Sequence, residues 1–503
     1  LLPIVQTYAQ LNTTYPPGSY SGYIATTSDL GTVYSDGTVW RKSAAGTNAL
    51  NKLRACIAKA AISNAATAQP LIQPSAWLTA TAYTTGTSVT NAGNNYICFN
   101  NGTSAVAPTA TTNALIADGT LTWYYAGPAF TTSPNAPTFA SVIATSKYTG
   151  NFWRTTTGTR TDGTTQISDS TNFLTTGGAI TETGSQNSFV CSTASTAMSV
   201  SFMTDAITFQ IVAQGTTTPR CAIYVNSVPL FVGNGSNSTN GQAVNYLQLT
   251  FSTRTPRMIT VELPNSLPFF GVLMNEGTSK VWAPSSPNSV RVGIVGTSYL
   301  SGSSQHPVTP ALGLGPLIAK GLGILDCFTD AAGAGTGYQQ TNSGTRYDSR
   351  LPALTAYNPE IVIITGGGIN DRNFPGVTLA NEQAAVLSYL QQLRVALPAA
   401  IIFVIGSESG ATGPLANVFN MELAALQAVA QFADLMTFFI PQSSTNAGKA
   451  WVSGTGTTAA TNNSGSSDNY IGADGIHPVH GGVQYLAQNN VIGIASAVNG
   501  IAA

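Results

Sequence analysis

The chain has 503 residues, only 8% of them charged, with 19 Lys and Arg against 20 Asp and Glu and a net charge of −1. Ordinary soluble domains carry about 25% charge. The balance excludes a basic nucleic-acid surface, the 43% hydrophobic content excludes charged-linker disorder, and the missing Ala/Glu/Lys/Leu/Arg signature excludes a coiled coil.

At roughly 150 residues per domain the length predicts about three domains, and the chain reads as four segments. The first, 1–69, carries turn signals at Tyr15-Pro16-Pro17 and Ser35-Asp36-Gly37-Thr38 around short alternating runs. Leu50, Leu53, Ile57 and Ala61 then fall on one face of a helix. The second, 70–130, is a small β module whose short strands are separated by Thr85-Gly86, Asn91-Ala92-Gly93 and Asp118-Gly119. It holds Trp77, Trp123, Tyr83, Tyr96, Tyr124 and Tyr125. Such rings can stack on sugar or form a core, and so short a module needs most of them inside.

The third segment, 131–288, alternates apolar and polar residues along 197–202, 206–212, 221–225, 247–251 and 258–263. Turn residues lie between the runs, the pattern of an antiparallel sandwich. The fourth, 289–503, changes period. Apolar runs at Val290–Val295, Ile324-Leu325, Ile361–Ile364, Ile401–Ile405 and Leu435–Ile440 are buried-strand candidates. Helical patterns at 379–397 and 415–433 lie between them, and a docked C-terminal helix is expected from Tyr485 on. Strands alternating with helices predict a parallel sheet with helices on both faces, an α/β fold whose site lies at the carboxyl ends of the strands.

No apolar stretch is long enough for a transmembrane helix. The five cysteines, Cys56, Cys98, Cys191, Cys221 and Cys327, show no metal-ligand spacing and read mostly as buried thiols, with a Cys191–Cys221 pairing left open. The chain opens on Leu1 without Met or a basic leader, so an earlier start or a removed leader is expected.

The strand ends of the fourth segment supply a convergent set of residues. Gly296-Thr297-Ser298 follows the first run, Asp330-Ala331-Ala332-Gly333-Ala334-Gly335 the second and Gly368-Ile369-Asn370-Asp371 the third, while Asp474-Gly475-Ile476-His477-Pro478 lies near the C-terminus. A serine hydroxyl needs a base to become a nucleophile. His477 is placed to take its proton and Asp474 to hold the imidazole tautomer. The backbone N–H of Ser298, that of Gly335 (or of Gly333) and the side-chain amide of Asn370 are candidate oxyanion donors. No metal or other cofactor is required. His306 and Arg372 are candidate substrate contacts, Asp371 a loop-fixing residue, and His480 a surface residue at a helix start.

These four blocks, in this order, resemble the SGNH or GDSL-like hydrolase family over 289–503, with Thr297 standing where the family motif carries Asp. The resemblance implies a flavodoxin-like α/β hydrolase with Ser298, His477 and Asp474 as its triad. The preceding β segment resembles the jelly-roll partner of SGNH carbohydrate esterases. The aromatic order in 70–130 resembles chitin-binding-like modules of chitinases and phage tail proteins, and the opening segment resembles phage tail-fibre and tailspike sequence.

Together the resemblances imply a serine esterase that removes O-acetyl groups from a cell-surface polysaccharide. It would act as an extracellular, trimeric tailspike or tail fibre whose N-terminal segment meets other tail proteins. A secreted microbial acetylxylan-type or lipid esterase, or an inactive receptor-binding tail protein, are the competing readings.

Overall fold

The computed structural model describes residues 24–27, 31–35, 40–42, 49–57, 73–83, 87–98, 100–111, 116–129, 138–143, 158–159, 165–167, 173–177, 180–183, 188–191, 197–214, 222–230, 244–264, 268–274, 279–284, 290–301, 313–331, 336–339, 346–408, 416–434, 436–442 and 451–500. The chain divides into two compact units, one formed by 1–62, 288–305 and 317–503, the other by 63–287 and 306–316.

In the second unit, the aromatic stretch forms a five-stranded sheet with Trp123 and Tyr96 wholly buried at its centre. Tyr83 meets the Trp123 ring edge-on at 5.1 Å, and Trp77 is half-buried. The buried Asp118 ties the module together. Its Oδ2 accepts from both indoles, Trp77 at 3.0 Å and Trp123 at 2.8 Å, and its Oδ1 accepts from the backbone N–H groups of Ala105 and Val106. Burial alone would raise its pKa, but these four donors hold the carboxyl below the usual range. Most of the rings are therefore core, as the small size of the module requires.

The sandwich segment contains two antiparallel sheets. One runs in the order Thr138–Ile143, Val244–Thr250, Thr208–Gln214, Phe269–Met274, Thr165–Ile167, Gly158–Thr159; the other runs Leu174–Thr176, Ala197–Thr204, Arg257–Pro264, Ala222–Val225, Val228–Pro229. Alternate residues of both point into one core: Met198, Val200, Phe202, Ile259, Val261 and Leu263 from one sheet, Phe209, Ile211, Leu247, Leu249, Val272 and Met274 from the other. The two-residue period of the sequence is the period of this packing.

The first unit is built on a parallel sheet of β1 (Arg291–Gly296), β2 (Asp326–Ala331), β3 (Ile361–Ile364), β4 (Ile401–Ile405) and β5 (Thr437–Ile440), in the spatial order 2-1-3-4-5. This is the doubly wound order in which a crevice opens between β1 and β3, where the winding reverses. Helices α1 (Ser298–Ser301), α2 (Leu314–Gly321), α3 (Leu351–Tyr357), α4 (Leu379–Ala396), α5 (Ala416–Phe432), α6 (Ser467–Tyr470) and α7 (His480–Gly500) connect and follow the strands. Strands β3 and β4 are buried at every position, which is why each reads as an unbroken apolar run. Helix α4 opens on a capping box between Thr378 and Asn381.

Two expectations are corrected. Ile324-Leu325 lies in the turn before β2, with Leu325 54% exposed. The strand itself is the mixed run Asp326–Ala331, whose three polar residues a sheet edge tolerates because one side has no neighbouring strand. His480 does start helix α7, but it is buried rather than on the surface. The helix at 49–57 belongs to the same compact unit as the parallel sheet: Lys52 Nζ pairs with Glu360 at 2.8 Å, and Arg54 donates to the Val498 carbonyl at 3.4 Å. Cys56, Cys98 and Cys327 are not joined in disulfides, and burial pushes the Cys98 thiol up to about 12. Cys221 and the Cys191 side chain lie outside the described residues. Among the described residues no helix is long and apolar enough to cross a membrane.

Candidate active site

Strand β1 delivers Gly296-Thr297-Ser298 to the carboxyl edge of the sheet, and α1 starts at Ser298. The Asp474–His477 segment meets it from the far end of the chain. His477 Nε2 lies 2.8 Å from Ser298 Oγ, and His477 Nδ1 lies 2.7 Å from Asp474 Oδ2. Asp474 Oδ1 accepts from the backbone N–H groups of Ile476 and His477, both at 2.9 Å. Burial works against the charged form, but the His477 side chain and these two N–H donors hold the Asp474 carboxyl below the usual range. The Asp474 side chain remains 31% exposed and that of His477 19%.

The base segment is keyed to the nucleophile turn by Tyr299, whose hydroxyl donates to the Ile476 carbonyl at 2.6 Å. The Tyr299 ring is buried and lies 5.8 Å from the His477 ring and 6.3 Å from that of the buried Trp451. Arg350 braces the same edge from behind, donating from one nitrogen to the carbonyls of Gly296 (2.9 Å) and Asp330 (3.0 Å) and to the Asp330 carboxylate (3.2 Å). It thereby ties the ends of β1 and β2 together.

Asn370 follows β3 and is half-buried; its amide nitrogen donates to the Thr336 carbonyl at 2.7 Å. An amide carries two N–H groups, so this bond orients the side chain and leaves a second donor to aim. Asp371 is fully buried and accepts from the backbone N–H groups of Tyr338 (2.7 Å) and Gln339 (3.1 Å). Arg372 is half-buried, and burial lowers its pKa while nearby Tyr299 opposes that shift. Ser298, His477 and Asp474 are thus brought together, with Asn370 on the neighbouring strand end. Gly335, its alternative Gly333, and His306 lie outside the described residues.

Thr297 is wholly buried and faces an unanticipated neighbour, Glu408, which follows β4. A Cβ on Gly366 would come within 2.6 Å of both Glu408 Oε2 and Thr297 Oγ1, and Gly366 sits at φ +72°. Only glycine fits both the space and the backbone there. Glu408 Oε1 accepts from Thr365 Oγ1 at 3.1 Å, and burial pushes its carboxyl up to about 8. Between the unfolded value of about 4.3 and that folded value, the native state holds a proton that the unfolded chain has released. Stability therefore falls as pH rises through this window.

Glu408→Gln cannot ionise. Its melting temperature should exceed that of the wild type by about 2–4 °C near pH 8, with a smaller margin near pH 5. Parallel wild-type and variant curves of melting temperature against pH would contradict this.

Glu408, Tyr299 and Arg350 were absent from the sequence-derived list. The rule that chemistry follows strand ends points to Gly406-Ser407-Glu408 after β4 as directly as it points to Ser298. Tyr299 is simply the next residue after the serine. Arg350 has no local signal, because its partners are carbonyls distant in sequence.

No family model and no curated protein matches the chain. Among solved structures, a salicylyl-acyltransferase from a tetracycline biosynthetic pathway superposes with a TM-score of 0.50 at 13% identity, covering 66% of this chain and 96% of that one. A family two carbohydrate esterase from Clostridium thermocellum gives 0.48 at 14% identity, over 65% and 99%. An acetyl xylan esterase from Butyrivibrio proteoclasticus gives 0.45 at 13%, over 67% and 99%. At 13% identity the likeness to the acyltransferase is one of fold alone.

Proposed function

We propose that the chain is a serine esterase that removes O-acetyl groups from a cell-surface polysaccharide. The observation that carries this reading is the Ser298–His477–Asp474 relay, with its two contacts of 2.8 and 2.7 Å. Ser298 Oγ attacks the ester carbonyl as its proton passes to His477 Nε2, and Asp474 holds the Nδ1–H that makes Nε2 the basic nitrogen. The carbonyl oxygen becomes an oxyanion facing the backbone N–H of Ser298, the second amide N–H of Asn370 and the N–H of Gly335. When the tetrahedral adduct collapses, the C–O bond to the sugar breaks and His477 gives its proton to the departing sugar oxygen, which leaves as a hydroxyl. Water then gives a proton to His477 and its oxygen to the acyl carbon, and release of acetate restores the Ser298 hydroxyl.

The polysaccharide assignment rests on the pairing of a β-sandwich with this α/β unit. A net charge of −1 offers no steering toward a charged ligand and suits a neutral glycan. His306 and Arg372 are the proposed substrate contacts. The place of the chain in a phage tailspike or tail fibre, as a homotrimer, rests on the sequence resemblance of 1–130 alone. In NMR spectra, loss of the acetyl methyl signals of a purified host polysaccharide on treatment with the protein, with free acetate appearing, is the expected result. Unchanged spectra, together with no turnover of a chromogenic acetate, would refute the esterase reading.

A further inference from the structure

Two buried acids, Asp371 and Glu382, hold the segment that supports Asn370. Asp371 opens the short turn after Asn370, Glu382 lies in the first turn of α4, and both are wholly inaccessible to solvent. Gln339 joins them: its backbone N–H donates to Asp371 Oδ1 and its side-chain amide to Glu382 Oε2. A carboxyl buried in a dry site beside another acid is driven toward its neutral form, and burial first and Asp371 second do this to Glu382. Both oxygens of Asp371 accept backbone N–H groups, Oδ2 from Tyr338 and Oδ1 from Gln339. Glu382 is held in turn by Gln339, whose side-chain nitrogen donates to its Oε2 at 2.6 Å.

The pair grips the segment that orients Asn370. Residues 336–339 supply the Thr336 carbonyl that accepts the Asn370 amide, and the N–H groups of Tyr338 and Gln339 that Asp371 holds. Between them Gly337 lies so close that a Cβ would come within 2.3 Å of the Asp371 carboxylate. Tyr338 is locked edge-on against Tyr347 at 4.6 Å and Tyr389 at 6.0 Å.

We propose that Glu382 is a positioning residue for the oxyanion donor: protonated, it lets the Asp371 carboxylate clamp 336–339 against Asn370, and on ionising it drives the two carboxylates apart and loosens that clamp. The catalytic half of this rests on the reading of Asn370 given above; the clamp itself does not. Burial first, and Asp371 second, push the Glu382 carboxyl up to about 8, so the device would titrate just above neutrality. The other ionisable groups around it, among the described residues, are Tyr338 on the clamped segment, Tyr347 packed on it, Tyr389 on α4, and Arg350, which acts on all three tyrosines. None of these tyrosines ionises in this range, since burial raises all three.

The test is amide hydrogen exchange of the full chain across pH, beside kcat and KM on a chromogenic acetate, for wild type and Glu382→Gln. In the wild type, protection at Tyr338 and Gln339, corrected for intrinsic exchange, should fall about tenfold from one pH unit below to one above the Glu382 transition. The core strand at 401–405 serves as the internal reference. Over the same range kcat should fall with KM unchanged. Glu382→Gln, which cannot ionise, should keep its protection and lose the alkaline fall in kcat.

The same pH course of protection in both proteins would overturn the proposal, as would an alkaline fall in kcat that persists in the variant. Should the variant not fold, wild-type protection at 336–339 that tracks the reference strand across pH overturns it equally. Wild type that turns over no chromogenic acetate and also leaves the polysaccharide spectra unchanged refutes the esterase reading, and the exchange measurement still decides the clamp.

Discussion

Ser298→Ala should lower kcat on an acetyl ester by at least about 10⁴-fold while leaving KM within a few-fold. The oxygen removed is the one that forms and breaks the covalent bond, and no neighbouring group stands in its place. At the carboxyl end of β1 the residues beside it are Thr297, which is wholly buried, and Tyr299, whose hydroxyl is engaged by the Ile476 carbonyl. Residual turnover would come from the oxyanion donors and His477 acting on water. Ser298 is half-buried at the start of a four-residue helix, and alanine is a good helix former, so the variant should melt with the wild type. Wild-type rates in a folded Ser298→Ala protein would remove the serine from the mechanism.

The second large effect is expected at Asp474. In Asp474→Asn the side-chain oxygen should keep the two backbone N–H groups of Ile476 and His477 that now bind Oδ1 at 2.9 Å. The new NH₂ group must then face His477 Nδ1. That nitrogen becomes an acceptor, the ring proton moves to Nε2, and the lone pair that should deprotonate Ser298 is lost. A fully buried aspartate in this role is worth about 10⁴-fold in kcat. The Asp474 side chain is 31% exposed, and water can partly solvate the imidazolium in its place, so a loss of about 10²–10³-fold is expected. Measuring kcat for Asp474→Asn and Asp474→Ala separates the two components. The alanine variant should be the more active, since it removes support without imposing the wrong tautomer. An asparagine variant as active as the wild type would mean that Asp474 does not orient the base.

Much of this geometry was legible because it follows strand ends and short spacings. The apolar runs of β3 and β4 are buried on both sides, and both sit where the sequence put them. So do the sandwich strands, whose alternation matches a core on one face only. β2 escaped because an edge strand such as Asp326–Ala331 need not be apolar, and the adjacent Ile324-Leu325 drew attention instead. Asp474 and His477 are three residues apart and read as a pair. Their distance from Ser298 is set by contacts that no local pattern announces, such as the Tyr299 hydroxyl on the Ile476 carbonyl and Arg350 on the ends of β1 and β2. The buried acids Glu382 and Glu408 are hard to anticipate for another reason. Carboxylates are rarely buried, so a sequence reading assigns such residues to the surface unless a partner is already known.

The base and its orienting carboxylate share one four-residue stretch, while the nucleophile belongs to the far end of β1. The site therefore has a single joint. Movement of the 474–477 stretch as a body would change the gap between imidazole and hydroxyl without disturbing the imidazole–carboxylate pair, so the relay can be disengaged while it stays intact. The Tyr299 hydroxyl spans that joint, tying the residue next to the serine to the Ile476 carbonyl of the base segment.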